Sequence, residues 1–230
     1  MILYFKFFIL IGLNLIKIVN RSVYTCKCIQ NCLHLQNKIE KKMENKLETS
    51  AKSLKREEMV KFAFETFYKN GFHATGVDTV MEGTGISKRT LYKHFGSKEG
   101  LILATIDYYR THMRELIYSY INTDPKENAV EKALRIFDFL TDRVEGGHYN
   151  GCFVMNAKTE YINKAKDIEE SCDNYTAGIQ QLLEANLPNN DLVTQIMMLF
   201  EGAIVRSKVT RNIKTIRLAK DAARILCENS

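Results

Sequence analysis

Helical spacing of apolar residues runs through most of this chain and leaves little room for another fold. From residue 54 onward, apolar side chains recur three and four positions apart rather than at every second position. Only two prolines, Pro125 and Pro188, interrupt the 230 residues. The spacing therefore predicts an all-α protein, and the chain is long enough to bury a substantial hydrophobic core.

The net charge of +6 is distributed unevenly along the chain. Residues 1–42 and 50–100 carry the excess of Lys and Arg, whereas residues 101–230 are slightly acidic. This asymmetry favours nucleic acid as a partner of the basic region. We expect a leader over 1–42, a DNA-binding domain over 43–100 and a larger helical domain over 101–230.

The leader opens with an apolar run of 19 residues, about the length of a membrane span. Lys6, Asn14 and Lys17 interrupt the run, and no small-residue cleavage site of a signal peptide follows it. Two interpretations stay open. Either the start is misassigned or disordered and the working protein begins at Met43, or residues 1–19 form a membrane or interfacial segment.

Four potential zinc ligands, Cys26, Cys28, Cys32 and His34, also lie in the leader. They are crowded together, whereas structural zinc sites usually join two separated pairs of ligands. We therefore predict no metal and no cofactor. The sequence also lacks a phosphate-binding loop, a paired-carboxylate pattern and a Ser/His/Asp pattern, which disfavours an enzyme.

Three short helices are predicted before residue 96. The segment 53–72 carries one apolar stripe and is expected to end at a glycine, a second helix should run from 75 or 76 to about 83, and a third from 88 to 94. Such a pair of short helices after a longer one is the arrangement of a helix-turn-helix unit, in which the last helix enters the major groove of DNA.

The third predicted helix carries many hydrogen-bond donors for its length. Lys and Arg can donate to guanine, Thr offers a hydroxyl and a methyl group, and Tyr and His reach phosphate oxygens or base edges. A short solvated helix has the same spacing, so the spacing alone leaves both interpretations open. The candidate DNA-contacting residues at this helix are Ser87, Lys88, Arg89, Thr90, Tyr92, Lys93 and His94.

Residues 54–105 resemble the DNA-binding signature of the TetR family of bacterial transcriptional repressors. The resemblance implies that Thr75, Tyr92 and Lys98 contact the DNA backbone, while base contacts vary between family members. Thr75 and Lys98 are both expected at a helix start, where free N–H groups favour a phosphate. The residues that match the signature are Gly71, Phe72, Thr75, Gly85, Tyr92, Phe95, Ser97, Lys98 and Glu99.

Six further helices are predicted beyond residue 97, and the last two carry apolar stripes. A core helix and an interface helix look alike by periodicity. In the TetR family the final two helices form a dimer interface, which implies a homodimer that reads a pseudo-palindromic operator in double-stranded DNA. The predicted helices are 98–121, 126–145, 152–165, 167–187, 190–210 and 214–228. The predicted interface residues are Val193, Ile196, Met197, Phe200, Ile204, Ile216, Ala219 and Ala223.

The resemblance also implies a pocket for a small-molecule effector within residues 101–187. Each aromatic or Met side chain there could equally belong to the core, and no constellation of residues selects a ligand. The candidate lining residues are Tyr109, Met113, Phe137, Phe153, Asn156 and Tyr175.

Cys152 is a candidate redox sensor. It is expected in the first turn of a helix, where the helix dipole lowers the pKa of a thiol. Its Gly-Cys-x-x-x-Asn stretch resembles one branch of TetR repressors, some of which release DNA when this cysteine is modified. A small buried side chain at a crowded helix start is the alternative, and both stay open.

Together these features predict a dimeric, cytoplasmic repressor that a small molecule or a redox signal releases from its operator. An activator or a nucleoid-associated protein of the same fold is an alternative within gene regulation. From another class, the alternative is a membrane-tethered sensor that uses residues 1–19.

Overall fold

The computed structural model describes residues 38, 41, 53–82 and 85–230. Within these residues the secondary structure is helical, with no β-strand, and the all-α prediction is confirmed. The helices are α1 (53–70), α2 (Val77–Met81), α3 (Lys88–Phe95), α4 (Lys98–Ile121), α5 (Ala129–Glu145), α6 (Phe153–Tyr161), α7 (Lys166–Glu184), α8 (Asn190–Thr210) and α9 (Lys214–Glu228).

Contacts between Cα atoms group Lys55–Ser230 into one compact unit. The predicted boundary at residue 100 stays a prediction. The apolar run at 1–19 and the cysteine cluster at 26–34 lie outside the described residues, so the alternatives for the leader stay open. Among the residues that are described, no helix is both long and apolar enough to cross a membrane.

We call helices α1 to α3 the head and residues 98–230 the body. Local capping explains where the short helices of the head begin and end. After α1, Gly71 adopts φ +82° and its N–H donates to the Phe67 carbonyl at 2.8 Å, a helix ending that glycine permits without strain. Ser87 begins α3 by accepting the N–H of Thr90 at 3.2 Å. Gly96, at φ +76°, then turns the chain into α4.

Helices α4, α8 and α9 have the predicted bounds, α7 covers Lys166–Glu184 rather than 167–187, and α5 and α6 differ for local reasons. Helix α5 begins at Ala129 rather than 126 because Asn128 caps it, accepting the Glu131 N–H at 2.9 Å. Helix α6 ends at Tyr161 rather than 165 because the chain turns at Asn163, where φ is 60°.

An aromatic cluster packs the head helix α1 against α4 and α6. Phe153 at the start of α6 is fully buried, with its ring centroid 4.8 Å from Phe64, 4.9 Å from Phe72 and 5.4 Å from Tyr109. Rings at these separations add specific attraction to their buried area. The start of α6 is therefore part of the core that joins the head to the larger helices.

Candidate nucleic-acid interface and effector sites

Helix α3 presents its polar side chains outward because its apolar side is anchored. Leu91 is only 1% exposed and Phe95 packs partly buried against the core. Arg89, Tyr92 and Lys93 are exposed. The helix therefore offers a surface of two cations and a phenol to a partner, as a major-groove reader requires.

The first turn of α3 is organised by its own hydroxyl groups. The Ser87 and Thr90 hydroxyl oxygens lie 3.0 Å apart, and Ser87 also accepts the Thr90 N–H. Ser87 thus holds the helix start in shape. Its side chain remains exposed, so a DNA contact is geometrically open to it.

The two first cations of α3 differ in their surroundings. The Lys88 ammonium lies 2.7 Å from the Asp78 carboxylate of α2, and this hydrogen bond raises the pKa of Lys88. Arg89, by contrast, has no ion pair among the described residues. His94 is half-buried, with its ring centroid 6.1 Å from that of Phe95. Arg89 is therefore the more available of these two cations to a partner.

Thr75 departs from the expectation that it contacts the DNA backbone. It precedes α2 by two residues, is 0% exposed, and its hydroxyl donates to the Gly71 carbonyl at 2.5 Å. In this conformation neither its hydroxyl nor its N–H can reach a phosphate. Thr75 instead stabilises the turn that connects α1 to α2.

Lys98 has a partner inside the head. Its ammonium donates to the Phe72 carbonyl at 2.7 Å, while Ser97 caps α4 by accepting the Gly100 N–H at 3.0 Å. This contact ties the start of α4 to the end of α1. A phosphate contact by Lys98 stays a prediction that requires the ammonium to leave or share this carbonyl.

Two of the predicted pocket residues line a small internal cavity of about 30 Å³. The rings of Tyr109 and Tyr175 lie 5.7 Å apart there, and the Tyr109 hydroxyl is 4.0 Å from the Cys152 sulfur. Met155 and Phe200 also line it. A cavity of this size has room for about one water, so an effector would have to enlarge it.

The other predicted pocket residues lie elsewhere. Met113, Phe137 and Phe153 are buried core residues outside the lining of this cavity. The Asn156 amide donates to the Asn150 carbonyl and accepts from the Lys208 ammonium, both at 2.9 Å, in a surface cleft between the head and α8. The prediction of one pocket shared by all six residues is therefore wrong.

The thiol of Cys152 is not activated in the way that its position at a helix start predicts. Cys152 is the residue that precedes α6 and is 7% exposed. Burial raises the pKa of the thiol, and this outweighs the lowering by the backbone N–H groups of Val154 and Met155. The prediction that the helix start lowers the pKa of this thiol is therefore wrong, while the sensor role of Cys152 stays a prediction.

The residues predicted for the dimer interface face the protein's own core. In α8 and α9 these side chains are buried at 8% exposure or less, apart from the half-buried Ala219. Residues already covered by their own chain cannot form a subunit interface. The predicted interface residues that pack into the chain's own core are Val193, Ile196, Met197, Phe200, Ile204, Ile216 and Ala223, together with the half-buried Ala219.

An exposed apolar face lies on the other side of these two helices. In α8 it comprises Met198, Val205 and Val209, and in α9 it comprises Leu218 and Ile225, all more than half exposed. We call these five residues the outer face. The sequence held a signal for it, since the α8 members are spaced seven and four residues apart, but α8 is apolar on both sides.

Sequence analysis did not predict the hydrogen bonds that connect the head to the body. We call the region of these contacts the joint. The Tyr68 hydroxyl donates to the Gly151 carbonyl and accepts the Asn150 N–H, both at 2.8 Å. The Glu160 carboxylate accepts the N–H groups of residues 72 and 73, at 3.0 and 2.6 Å. These partners are more than 80 residues apart in sequence, so no local pattern indicates them.

No group of three or more His, Cys, Asp or Glu side chains is placed to hold a metal ion in the part of the chain that the structure describes. The free thiols there are Cys152, Cys172 and Cys227. In these residues, the polar groups open to a partner are therefore the hydrogen-bond donors of the head and the side chains that line the clefts around the joint.

Comparison with known proteins agrees with the head geometry. Residues 60–105 match the family model described as bacterial regulatory proteins, tetR family. The chain is 42% identical over 55 residues to an uncharacterized HTH-type transcriptional regulator, YerO of Bacillus subtilis, covering 24% of this chain and 19% of that protein. It is 32% identical over 89 residues to the HTH-type transcriptional activator FasR of Mycolicibacterium smegmatis, covering 36% and 39%.

The matched segments thus span about a fifth and two fifths of these two relatives. Over most of its length the chain is similar to a solved structure, SCO4454, a TetR-family transcriptional regulator from Streptomyces coelicolor. The TM-score is 0.68 at 21% identity, covering 77% of this chain and 96% of that one. At this identity the likeness concerns the fold, including the larger helices beyond the matched head.

Proposed function

We propose, from its membership of the TetR family of bacterial transcriptional regulators, that this chain is a dimeric repressor of the bacterial cytoplasm. It binds double-stranded operator DNA and is released by a small-molecule or redox signal. The observation that carries the proposal is the exposed set Arg89, Tyr92 and Lys93 on a helix anchored by the buried Leu91.

The chemistry of this surface suits a duplex. The Arg89 guanidinium can donate two parallel hydrogen bonds to the O6 and N7 acceptors of guanine, which is the commonest base-specific contact in the major groove. Lys93 and Tyr92 are suited to phosphate oxygens, which fix the position of the reader without reading sequence. No catalytic residue is assigned in this proposal.

We propose that the outer face forms the subunit interface, in place of the inward stripe. Its members are large apolar side chains that one chain leaves in water, and burying them against a second copy gains hydrophobic free energy. A dimer presents two readers to two half-sites of a pseudo-palindromic operator.

Release requires an effector that prefers a conformation whose reader spacing does not fit the operator. Contacts at Tyr68 and Glu160 fix the head on the body, so a ligand that alters this joint would change the spacing. The FasR relative is named an activator, and whether this chain represses is decided by transcription from a promoter carrying its operator.

The DNA experiment begins with selection of bound duplexes from a random-sequence pool, followed by titration of the selected operator at two salt concentrations. We expect Arg89→Ala to weaken specific binding by about ten- to a hundredfold, the loss of one bidentate base contact. Lys166→Ala is the control, because Lys166 is exposed at the start of α7. Unchanged specific binding by Arg89→Ala, or no selected sequence at all, would reject the proposed reader.

The interface is tested by sedimentation of Val205→Glu, a charge placed in the middle of the α8 part of the outer face. We expect this variant to be monomeric at concentrations where the parent chain is dimeric, because a buried unpaired carboxylate is costly. Ile162→Glu, an exposed apolar position after α6, should remain dimeric. A dimer that persists in Val205→Glu would place the interface elsewhere.

A further inference from the structure

Arg143, near the end of α5, is a half-buried cation that forms no ion pair with a described residue. Within the described residues no carboxylate lies within 4.0 Å of it, whereas Arg135 and Arg224 have carboxylate partners at 2.8 and 2.9 Å. Removing a guanidinium from water without pairing it is unfavourable. Its position therefore resembles one half of an ion pair.

The surroundings of Arg143 are phenolic rather than acidic. Its charge lowers the pKa of four nearby tyrosines whose pKa is raised mainly by burial. Neutral hydroxyls compensate a cation only in part. The four are Tyr68, Tyr109, Tyr149 and Tyr175.

Arg143 opens onto a cleft of about 1020 Å³ between the head helix α1 and the loop 146–150. This volume is in the range of small-molecule sites, about 300 to 1,000 Å³. The walls include the rings of Phe64 and Tyr68, which are stacked with centroids 5.6 Å apart, and the ring of Tyr120. The cleft therefore joins aromatic surface to a cation.

The other charged groups of the cleft leave it positive. Lys69 and Arg211 lie at its edges with Arg143, and Glu65 and Asp142 are its carboxylates. Asp142 already accepts the Tyr120 hydroxyl at 2.6 Å. An anion that enters next to Arg143 thus meets more positive than negative charge.

We propose that this cleft binds a small aromatic carboxylate, whose carboxylate pairs with Arg143 and whose ring packs against Phe64 and Tyr68. The planar fork of a guanidinium matches a carboxylate through two parallel hydrogen bonds. This inference rests on the proposed function in one respect, since the cleft would be the effector site of the regulator. It lies at the joint and shares Arg143 and Tyr149 with the small cavity beside Tyr109 and Tyr175.

A ligand in this cleft contacts the head and the body together. Tyr68 belongs to α1, and its hydroxyl is held by residues 150 and 151 of the body. An anion paired with Arg143 would therefore lie next to Tyr68, at the same joint that positions the head. Its binding is therefore coupled to the position of the head, and a ligand preferring one position shifts the population toward it.

The test is calorimetric titration of the full chain, without DNA, with 2-naphthoate and with the neutral 2-naphthamide as its matched probe. We expect 2-naphthoate to bind and the amide to bind about tenfold more weakly or not at all. Arg143→Gln should weaken 2-naphthoate binding by about ten- to a hundredfold, and Arg143→Lys, which keeps the charge without the fork, by less.

Arg114→Gln is the control, because Arg114 is exposed on α4 and lines a separate groove against α7. It should bind 2-naphthoate as the parent chain does. Absence of binding to the parent chain, equal binding of the amide, or full affinity in a folded Arg143→Gln or Arg143→Lys variant would each overturn the proposal. Because no DNA is present, these outcomes are independent of the operator titration.

Discussion

Helices α3 and α6 begin in similar ways and lie in opposite environments. Each is a short helix whose first-turn N–H groups have no acceptor within the helix itself, a place where the sequence predicts polar chemistry. Ser87 and Lys88 at the start of α3 are exposed, whereas Cys152 and Phe153 at the start of α6 are 7% and 0% exposed. The same local feature is thus open to a partner in one place and used for packing in the other.

The difference teaches that burial, rather than the helix dipole, decides what a helix start can do. The dipole is worth about 0.3 to 1 kcal/mol at an exposed site. Desolvation of a charged group is larger, and it raises the pKa of the Cys152 thiol despite two favourable backbone contacts. A helix start therefore predicts an anion site or a thiolate only where water or a ligand reaches it.

The largest expected effect is on the free energy of unfolding, at the buried start of α6. Phe153→Ala should lower the free energy of unfolding by about 3 to 5 kcal/mol, because it removes the central ring of the cluster and leaves a cavity. Urea unfolding measures the loss, with Phe153→Leu as the milder change if the alanine variant does not fold. Lys93→Ala on α3 should change stability by less than about 0.5 kcal/mol. Similar losses of stability for the two alanine variants would contradict the difference in burial between the start of α6 and α3.

The next effect is on thiol reactivity. Alkylation of Cys152 in the native chain should be roughly a hundredfold slower than in the unfolded chain, as expected when reaction requires a local opening costing about 2.7 kcal/mol. Peptide mapping by mass spectrometry reads each site, with the half-buried Cys227 as internal comparison.

The pH dependence of that reaction has a definite sign. The thiolate is the reactive form, and burial raises the pKa of Cys152, so its alkylation rate should keep rising with pH beyond the ordinary thiol pKa of about 8.5, where the rate of an exposed thiol levels off. Rapid labelling of Cys152 near neutral pH would contradict the buried assignment and would strengthen the sensor hypothesis.

The smallest effect concerns the exposed start. Ser87→Ala removes the hydroxyl that accepts the Thr90 N–H and should destabilise the chain by about 1 kcal/mol. The matched control is Ser119→Ala, within α4, whose hydroxyl bonds only its own helix at Leu116 and whose loss should be close to neutral. Equal effects of the two substitutions would show that the cap contributes nothing to α3.

The helices of the head were predictable because the capping residues that begin and end them act over a few positions in sequence. The caps Ser87 and Gly71 are separated from their partners by at most four residues. The same reasoning reproduced the bounds of α4, α8 and α9. It placed Thr75 near a helix start but could not indicate that the residue is fully covered there, because burial depends on helices that are distant in sequence.

The outer face shows what hydrophobic periodicity cannot decide. Helix α8 carries an apolar stripe through Ile196 and Phe200 and a second one through Val205 and Val209. A hydrophobic pattern gives the period of a stripe but does not state which stripe meets the protein's own core. Packing against the other helices buries the first stripe and leaves the second exposed.

By itself, the sequence determined the all-α class, the helix-turn-helix head and the donors on α3, because short-range spacing and capping encode them. The tertiary structure decided that Cys152 is covered, that the outer face is free and that Arg143 meets tyrosines instead of a carboxylate. These outcomes depend on which surfaces exclude water from one another, and contacts between residues more than 80 positions apart establish that exclusion.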